Sequence, residues 1–395
     1  MAKSKTPEAS PDRIDIMTAA QLMIADSEHD ADMLYIAGLF VPDPFIAIGI
    51  NGEWHGLFSP LEVGRAEKHS RFRHVHLDSQ WRASAKDKNR QGLAAAAAAF
   101  LEMKGIRSIH VPGHFPLSYA EQLRQWGFEV NPVDGEMFPS RAVKSEFEIQ
   151  CLAKAERLTR QAMQQAERFL AACSIGNDGI LRAPSEADMP HQRIKSADVR
   201  RVIETFLIGK GAMPAHTIVA CGREAADPHN IGTGYIRAGK LIIIDIFPRV
   251  LATGYWGDMT RTYVKGKADR DIAKMYRTVR EGQDIGLSMV RNGVDGEDIH
   301  RSILAHFDSN GFSTGIRRGK QQGFFHGTGH GVGLEIHESP RISMQSCILQ
   351  TGQVVTVEPG LYYPVLGGIR LEDMVVVRAD GCENLTRHPR RLEIE

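Results

Sequence analysis

Four carboxylates in the last part of this 395-residue chain interrupt or end apolar runs: LIIID closes on Asp245, VVTVE closes on Glu358, GIRLED sets Glu372 just before MVVV, and Asp258 lies in GDMTRTY. A buried, unpaired carboxylate costs on the order of several kcal/mol, so strand-like runs do not normally end this way. A shared cation would remove that cost. The intervals from 245 to 258 and from 358 to 372 are 13 and 14 residues and both contain glycines, Gly254 and Gly257 in one, Gly367 and Gly368 in the other. Each pair is therefore expected side by side on adjacent strands. Four carboxylates in one cleft repel one another strongly, and two divalent ions would neutralise them. With at most one imidazole added, an oxygen-rich donor set suits Mn, Co, Fe or Zn in a two-metal centre, whereas a closed structural zinc site favours Cys and His. Manganese is placed first among them.

The imidazole is expected in HGTGHGVGLEIHESP (326–340), where His326, His330 and His337 are interleaved with glycines that let the backbone approach a site closely. Spacing alone does not choose among the three. A GTG tripeptide is too weak a signal to read as a phosphate loop.

The segments IIIDIF, GDMTRTY, HGTGHGVGLEIHESP, VEPGLYY and GIRLEDMVVV resemble, in order and spacing, the motifs of the pita-bread metallopeptidases, the family of prolidase, aminopeptidase P and methionine aminopeptidase, with creatinase as a metal-free relative. The likeness covers roughly residues 143–395. It implies Asp245, Asp258, His330, Glu358 and Glu372 as metal ligands, with His326 beside the centre without ligating. His229 in DPHN and His337 in HE match the family's two substrate-facing histidines, and Arg370 matches an arginine of the Xaa-Pro branch. Two residues between Asp245 and Asp258 look inserted relative to the family.

The chemistry expected from this set is hydrolysis of an Xaa-Pro bond in dipeptides or at the N-terminus of peptides. Bound cations would make water nucleophilic near neutral pH, and Glu358 would carry its proton to the leaving nitrogen. His229 and His337 would donate hydrogen bonds to the developing oxyanion. Arg370 is expected to orient a ligand or the substrate carboxylate, or else to pair with Asp373 or Glu372. Tyr362, Tyr363 and the histidines are expected either to shape a pocket for the pyrrolidine ring or to be core strand residues. Two rival readings share the fold: a creatinase-like, metal-free hydrolase of a small C–N substrate, and a non-enzymatic pseudo-peptidase binding module. Neither gives a physical reason to keep four convergent carboxylates.

The elements that must position these residues are alternating helices and strands. FIAIGI (45–50) before Asn51–Gly52 reads as a strand entering a turn, GLAAAAAAF (92–100) as a helix, and IRSIHVPG and GFEVNPV as strands. Histidines 69, 74, 76, 110 and 114 in this region are read as surface or structural residues. From Glu146 to Ala171 apolar residues recur at helical spacing behind Ser145 as N-cap. A boundary is thus expected near residue 140, with an α/β domain over 1–140 and an α+β pita-bread domain over 141–395. By the resemblance, the first domain is the non-catalytic one found in creatinase, prolidase and aminopeptidase P, which implies a homodimer. Residues 174–195 read as a polar surface loop, and SADVRRVIETFLIGKG, about 269–290 and 295–310 as further helices.

Composition adds exclusions. Lys+Arg and Asp+Glu both total 48, so no global field recruits nucleic acid or an anionic membrane. The chain, of 43.8 kDa and 42% hydrophobic residues, can build two ordinary cores. Its five cysteines lack a CxxC spacing and are expected as reduced thiols in a cytoplasmic protein. No window approaches the ~18 apolar residues of a membrane span.

Overall fold

The alternation of strand and helix before residue 140 builds a six-stranded sheet, and a computed structural model describes it within residues 19–185, 191–317 and 319–395. In spatial order its strands are His74–Leu77, Glu53–Phe58, Phe45–Ile50, Ala19–Ala25, Ser108–Val111 and Glu129–Pro132. Asn51 and Gly52 both take positive φ, 52° and 79°, and turn the chain between the second and third of these strands in sequence. The alanine run forms the helix Leu93–Met103, in which Ala94 to Leu101 are all buried. Its small side chains let it lie close against Ile46, Ile48 and Ile109 of the sheet.

Contacts divide the chain into a unit ending at Arg141 and a second beginning at Ala142. The second unit opens on the helix Glu146–Ala172, where Ser145 accepts from Glu148 N and Glu148 accepts from Ser145 N, a capping box. Ile149, Leu152, Ala155, Ala162, Met163 and Ala166 line its buried face, which, with the helix Ser196–Gly209, covers a four-stranded sheet. That sheet runs Ile218–Cys221, Leu241–Ile246, Met259–Lys265, Glu393–Ile394. The helices Arg270–Met289 and Gly296–Ser309 pack in the same way against a five-stranded sheet, ordered Glu338–Ile342, Gly329–Gly331, Val354–Val357, Asp373–Arg378, Gly381–Asn384. Two helices and a sheet thus occur twice, and each sheet carries one of the acidic pairs.

Hydrogen bonds join the four-stranded sheet to the five-stranded one, and to the strand pair Gly360–Tyr363 and Gly367–Arg370, where the acids lie. Glu372 N donates to Thr260 O at 3.1 Å, and Thr262 Oγ1 and Arg370 exchange backbone–side-chain bonds of 2.9 and 3.1 Å. Fully buried Arg261 donates to Asp373 Oδ1 at 2.7 Å and to the Glu372 carbonyl at 2.7 Å.

Residues 174–195 differ from the expected polar loop. They contain a hairpin, Ser174–Ile175 with Leu181–Arg182, and Ile180, Leu181, Ala183 and Ile194 are buried. Apolar positions too few to show a period still anchor the segment, because its backbone pairs with the chain at Tyr235 and Arg237. Residues 186–190 of that segment, like the polar stretch before residue 19, lie outside the described residues. No described helix is long and apolar enough to cross a membrane. None of the five cysteines is in a disulfide.

Candidate metal centre

Asp245 sits inside its strand, directly across from Thr260. Asp258 lies two residues before Thr260, so the two acids share a face of the sheet at a diagonal step. On the other sheet, Val357 pairs with Asp373 in the last register position, which leaves Glu358 and Glu372 as the next residues out, opposite one another. His330 lies on the strand between Glu338–Ile342 and Val354–Val357: its N–H donates to Thr356 Oγ1 at 3.1 Å, and its cross-strand partner is Arg341.

These placements bring the expected ligands together. Asp258, His330 and Glu372 offer ligand atoms all within 4.8 Å of one another. His330 Nε2 lies 3.6 Å from Asp258 Oδ2 and 3.4 Å from Glu358 Oε1. Asp245 is tied to the group through Arg370, which donates from Nη2 to Asp245 Oδ2 at 2.6 Å and from Nε to Thr260 Oγ1 at 3.1 Å. Thr260 Oγ1 in turn donates to Glu372 Oε2 at 2.7 Å.

The donor set fits a divalent cation. His330 Nδ1 faces the Gly331 carbonyl at 3.2 Å, which only accepts, so Nδ1 carries the proton and Nε2 presents a lone pair to two carboxylates. Burial, then His337, holds His330 down to about 3, so the ring is neutral. Three lone pairs facing one another need something positive between them: a proton relieves one contact, a divalent cation relieves all. Asp245 Oδ1 is buried and has no hydrogen-bond partner, which is the state of a ligand oxygen reserved for an ion. The carboxylates show the strain of crowding. Burial first, then Glu372, Asp245 and Glu358, pushes Asp258 well above the usual carboxylate range. Burial, then Glu358 and Asp245, does the same to Glu372. Burial also raises Glu358 to about 8 despite the opposing charge of Arg370.

Around this core, His337 is exposed and stands edge-on to His330, ring centroids 4.4 Å apart. Desolvation, then the charges of Arg341 and His229, lowers its pKa. His229 is exposed as well, on a loop whose Pro228 carbonyl accepts from Arg370 Nη1 at 3.4 Å.

Two expected roles are corrected and a third is narrowed. Tyr362 is fully buried and cannot line a pocket for substrate; its hydroxyl accepts from Arg370 Nη1 at 2.8 Å and lies 3.0 Å from His326 Nε2. His326 Nδ1 is held by the Gly327 carbonyl at 2.8 Å, so both its ring nitrogens are spoken for and neither reaches a ligand or a substrate. Arg370, buried, pairs with Asp245 and not with Asp373 or Glu372; Asp373 belongs to Arg261. Of the expected alternatives, its burial beside Asp245 leaves it orienting that carboxylate rather than meeting a substrate carboxylate. The line His326–Tyr362–Arg370–Asp245 is a support running behind the centre.

Sequence reading missed Thr260, Thr356, Arg341 and Glu156. The threonines had a signal, since Asp258-x-Thr260 and Thr356-x-Glu358 put hydroxyl and carboxylate on one face at period two. Arg341 and Glu156 had none, because register and helix packing place them. Glu156 is wholly buried, and its Oε2 accepts from Asp258 N at 3.0 Å.

Residues 150–379 match the profile of metallopeptidase family M24. The chain belongs to metallopeptidase family M24. Among M24 relatives, an Xaa-Pro dipeptidase of Pyrococcus horikoshii is 30% identical over 299 residues, 73% of this chain and 76% of that protein. A probable dipeptidase of Mycobacterium tuberculosis is 32% identical over 232 residues, 54% of this chain and 58% of that one. The crystal structure of an X-Pro aminopeptidase from Thermotoga maritima matches with a TM-score of 0.78 at 22% identity, covering 96% of this chain and 98% of that one. The prolidase of Pyrococcus horikoshii matches with a TM-score of 0.75 at 25% identity, covering 95% of each. The fold is thus an N-terminal α/β unit followed by the pita-bread unit of M24 enzymes.

Proposed function

We propose that this M24 enzyme hydrolyses Xaa-Pro bonds at a centre of two divalent ions, manganese first among them, held by Asp245, Asp258, His330, Glu358 and Glu372. The observation that carries the reading is the meeting of His330 Nε2 with Asp258 Oδ2 at 3.6 Å and Glu358 Oε1 at 3.4 Å, with the ring proton held on Nδ1 by the Gly331 carbonyl. Two ions rather than one balance four carboxylates. Bound there, they would acidify water and polarise the scissile carbonyl.

The chain's own residues do the rest. Glu358 has 17% of its side chain exposed, more than the side chains of Asp245, Asp258 and His330, so it reaches the space a substrate enters. It takes the proton of the attacking water on its carboxylate and returns it to the leaving nitrogen, which in an Xaa-Pro bond has no hydrogen of its own. His337 and His229, exposed beside the centre, donate to the carbonyl oxygen as charge develops on it. Arg341, exposed and across from His330, offers a guanidinium to a free carboxylate close to the bond cleaved. That cation supports a dipeptide substrate over a long one, and the dipeptidase relatives are in keeping with it.

The test is hydrolysis of Gly-Pro against a Gly-Pro-Xaa tripeptide by protein reconstituted with Mn2+, Co2+ or Zn2+, alongside Glu358→Gln. The reading expects metal-dependent cleavage, faster for the dipeptide, and loss of at least about 100-fold in turnover in the variant. Wild-type turnover by Glu358→Gln would end the role given to Glu358. Metal-independent cleavage would end the role given to the ions.

A further inference from the structure

We propose that Glu156 is a positioning residue of the metal centre: through the backbone of Asp258 it fixes that ligand where the ladder of its strand cannot. The inference rests on Asp258 being a ligand, as in the reading above. Asp258 stands one residue before the strand Met259–Lys265, and the register with the neighbouring strand stops at Ile246 opposite Met259. Its N–H therefore has no partner strand to bond. The long helix Glu146–Ala172 supplies the acceptor from the other side: Glu156 Oε2 takes the Asp258 N–H at 3.0 Å, both groups buried.

A second observation shows how directly the two backbones meet. A Cβ placed on Gly257 would lie 2.3 Å from Thr159 Oγ1 and 2.9 Å from the Ala155 carbonyl, so the chain entering Asp258 rests on the helix with no room for a side chain. Gly257 N bonds back to the Pro248 carbonyl, which closes the approach from the strand side. The Asp258 peptide is held between helix and loop, and Glu156 is the polar member of that grip.

The residue type is informative. A neutral acceptor would satisfy one N–H, yet an ionisable carboxyl with 0% exposure stands here, and its charged form is costly to bury unless a cation compensates it. Arg261, whose charge acts on Glu156, is already paired with Asp373 at 2.7 Å. A cation bound at Asp258 would favour the ionised form of Glu156, and the charge-assisted bond would then stiffen the ligand.

The experiment compares Glu156→Leu, which removes acceptor and charge, with Glu156→Gln, which can keep the acceptor. Glu156→Met serves if the leucine variant does not fold, as judged by circular dichroism. Mn2+ affinity is measured by calorimetry on the full chain, and the absorption spectrum of the Co2+-loaded protein reports ligand geometry. The apolar variant is expected to bind Mn2+ at least tenfold more weakly with an altered Co2+ spectrum, and the glutamine variant to recover the wild-type spectrum and most of the affinity. Unchanged affinity and spectrum in the folded apolar variant would overturn the proposal. So would equal losses in both variants, which would make Glu156 merely structural. Wild-type protein that takes up no divalent ion would instead remove the metal reading itself, a result distinct from either.

Discussion

At Glu358, burial outweighs the neighbouring Arg370 and favours the protonated carboxyl, with a pKa of about 8. Burial lifts Glu156 to about 8 as well. A carboxyl whose folded pKa lies above its unfolded value of 4.5 binds more protons in the folded chain. Its stabilising contribution is complete below 4.5 and disappears as pH rises through about 8. Metal-free protein should therefore lose stability across that window, seen as a falling midpoint in urea at fixed temperature. Metal uptake runs the other way: the ions must displace those protons, so affinity rises with pH over the same range. A flat urea midpoint from pH 5 to 8 in chelated protein would contradict the effect of burial described for these acids. Arg370 gives a second prediction at this scale. Its guanidinium bonds Asp245, Thr260 and Tyr362 at once, a fork that lysine cannot reproduce. Losing one charge-assisted bond costs about 1.5–3 kcal/mol, so Arg370→Lys should lower kcat/KM for Gly-Pro by about ten- to a hundredfold. The loss should fall on kcat more than on KM, because Arg370 is buried behind Asp245. A change confined to KM would place it against substrate after all.

Strand pairing, more than any single side chain, sets the geometry of the ligands. Gly329, next to His330, has its backbone so near the Val354–Val357 strand that an added Cβ would lie 1.9 Å from the Thr356 carbonyl. Gly329→Ala should force those strands apart, moving His330 away from Thr356 and Glu358. The expected result is at least a tenfold loss of Mn2+ affinity with the helical circular dichroism signal kept; unchanged affinity would show that the close approach is not needed to aim the histidine. This scale also separates what was legible in the sequence from what was not. Acids ending apolar runs announced paired strands, and the interleaved glycines announced close backbone approach, because period and punctuation are local. The capped helix from Glu146 was equally readable. The burial of Tyr362, the partner chosen by Arg370 and the reach of Glu156 depend on how a hairpin, a sheet and a helix meet, and no local pattern records that. The hairpin in 174–195 escaped for a related reason: its few apolar residues are buried by distant strands, not by their own periodicity.

For the whole catalytic unit, the duplicated arrangement of two helices over a sheet puts one acidic pair on each half, and the centre is where the halves join. Ions bound there would link both sheets and bind the folded chain alone, and so would add stability by mass action, about 2.7 kcal/mol at a hundredfold excess over Kd. Addition of a chelator should lower Tm, and Mn2+ should restore it. The most direct test of the account is a count of ions: equilibrium dialysis against Mn2+ at pH 8, followed by metal quantification per chain, for wild-type protein and for Asp258→Asn. The account predicts two ions per wild-type chain and fewer than two in the variant. A folded wild-type chain that retains none, or a variant that retains the full complement, would contradict it.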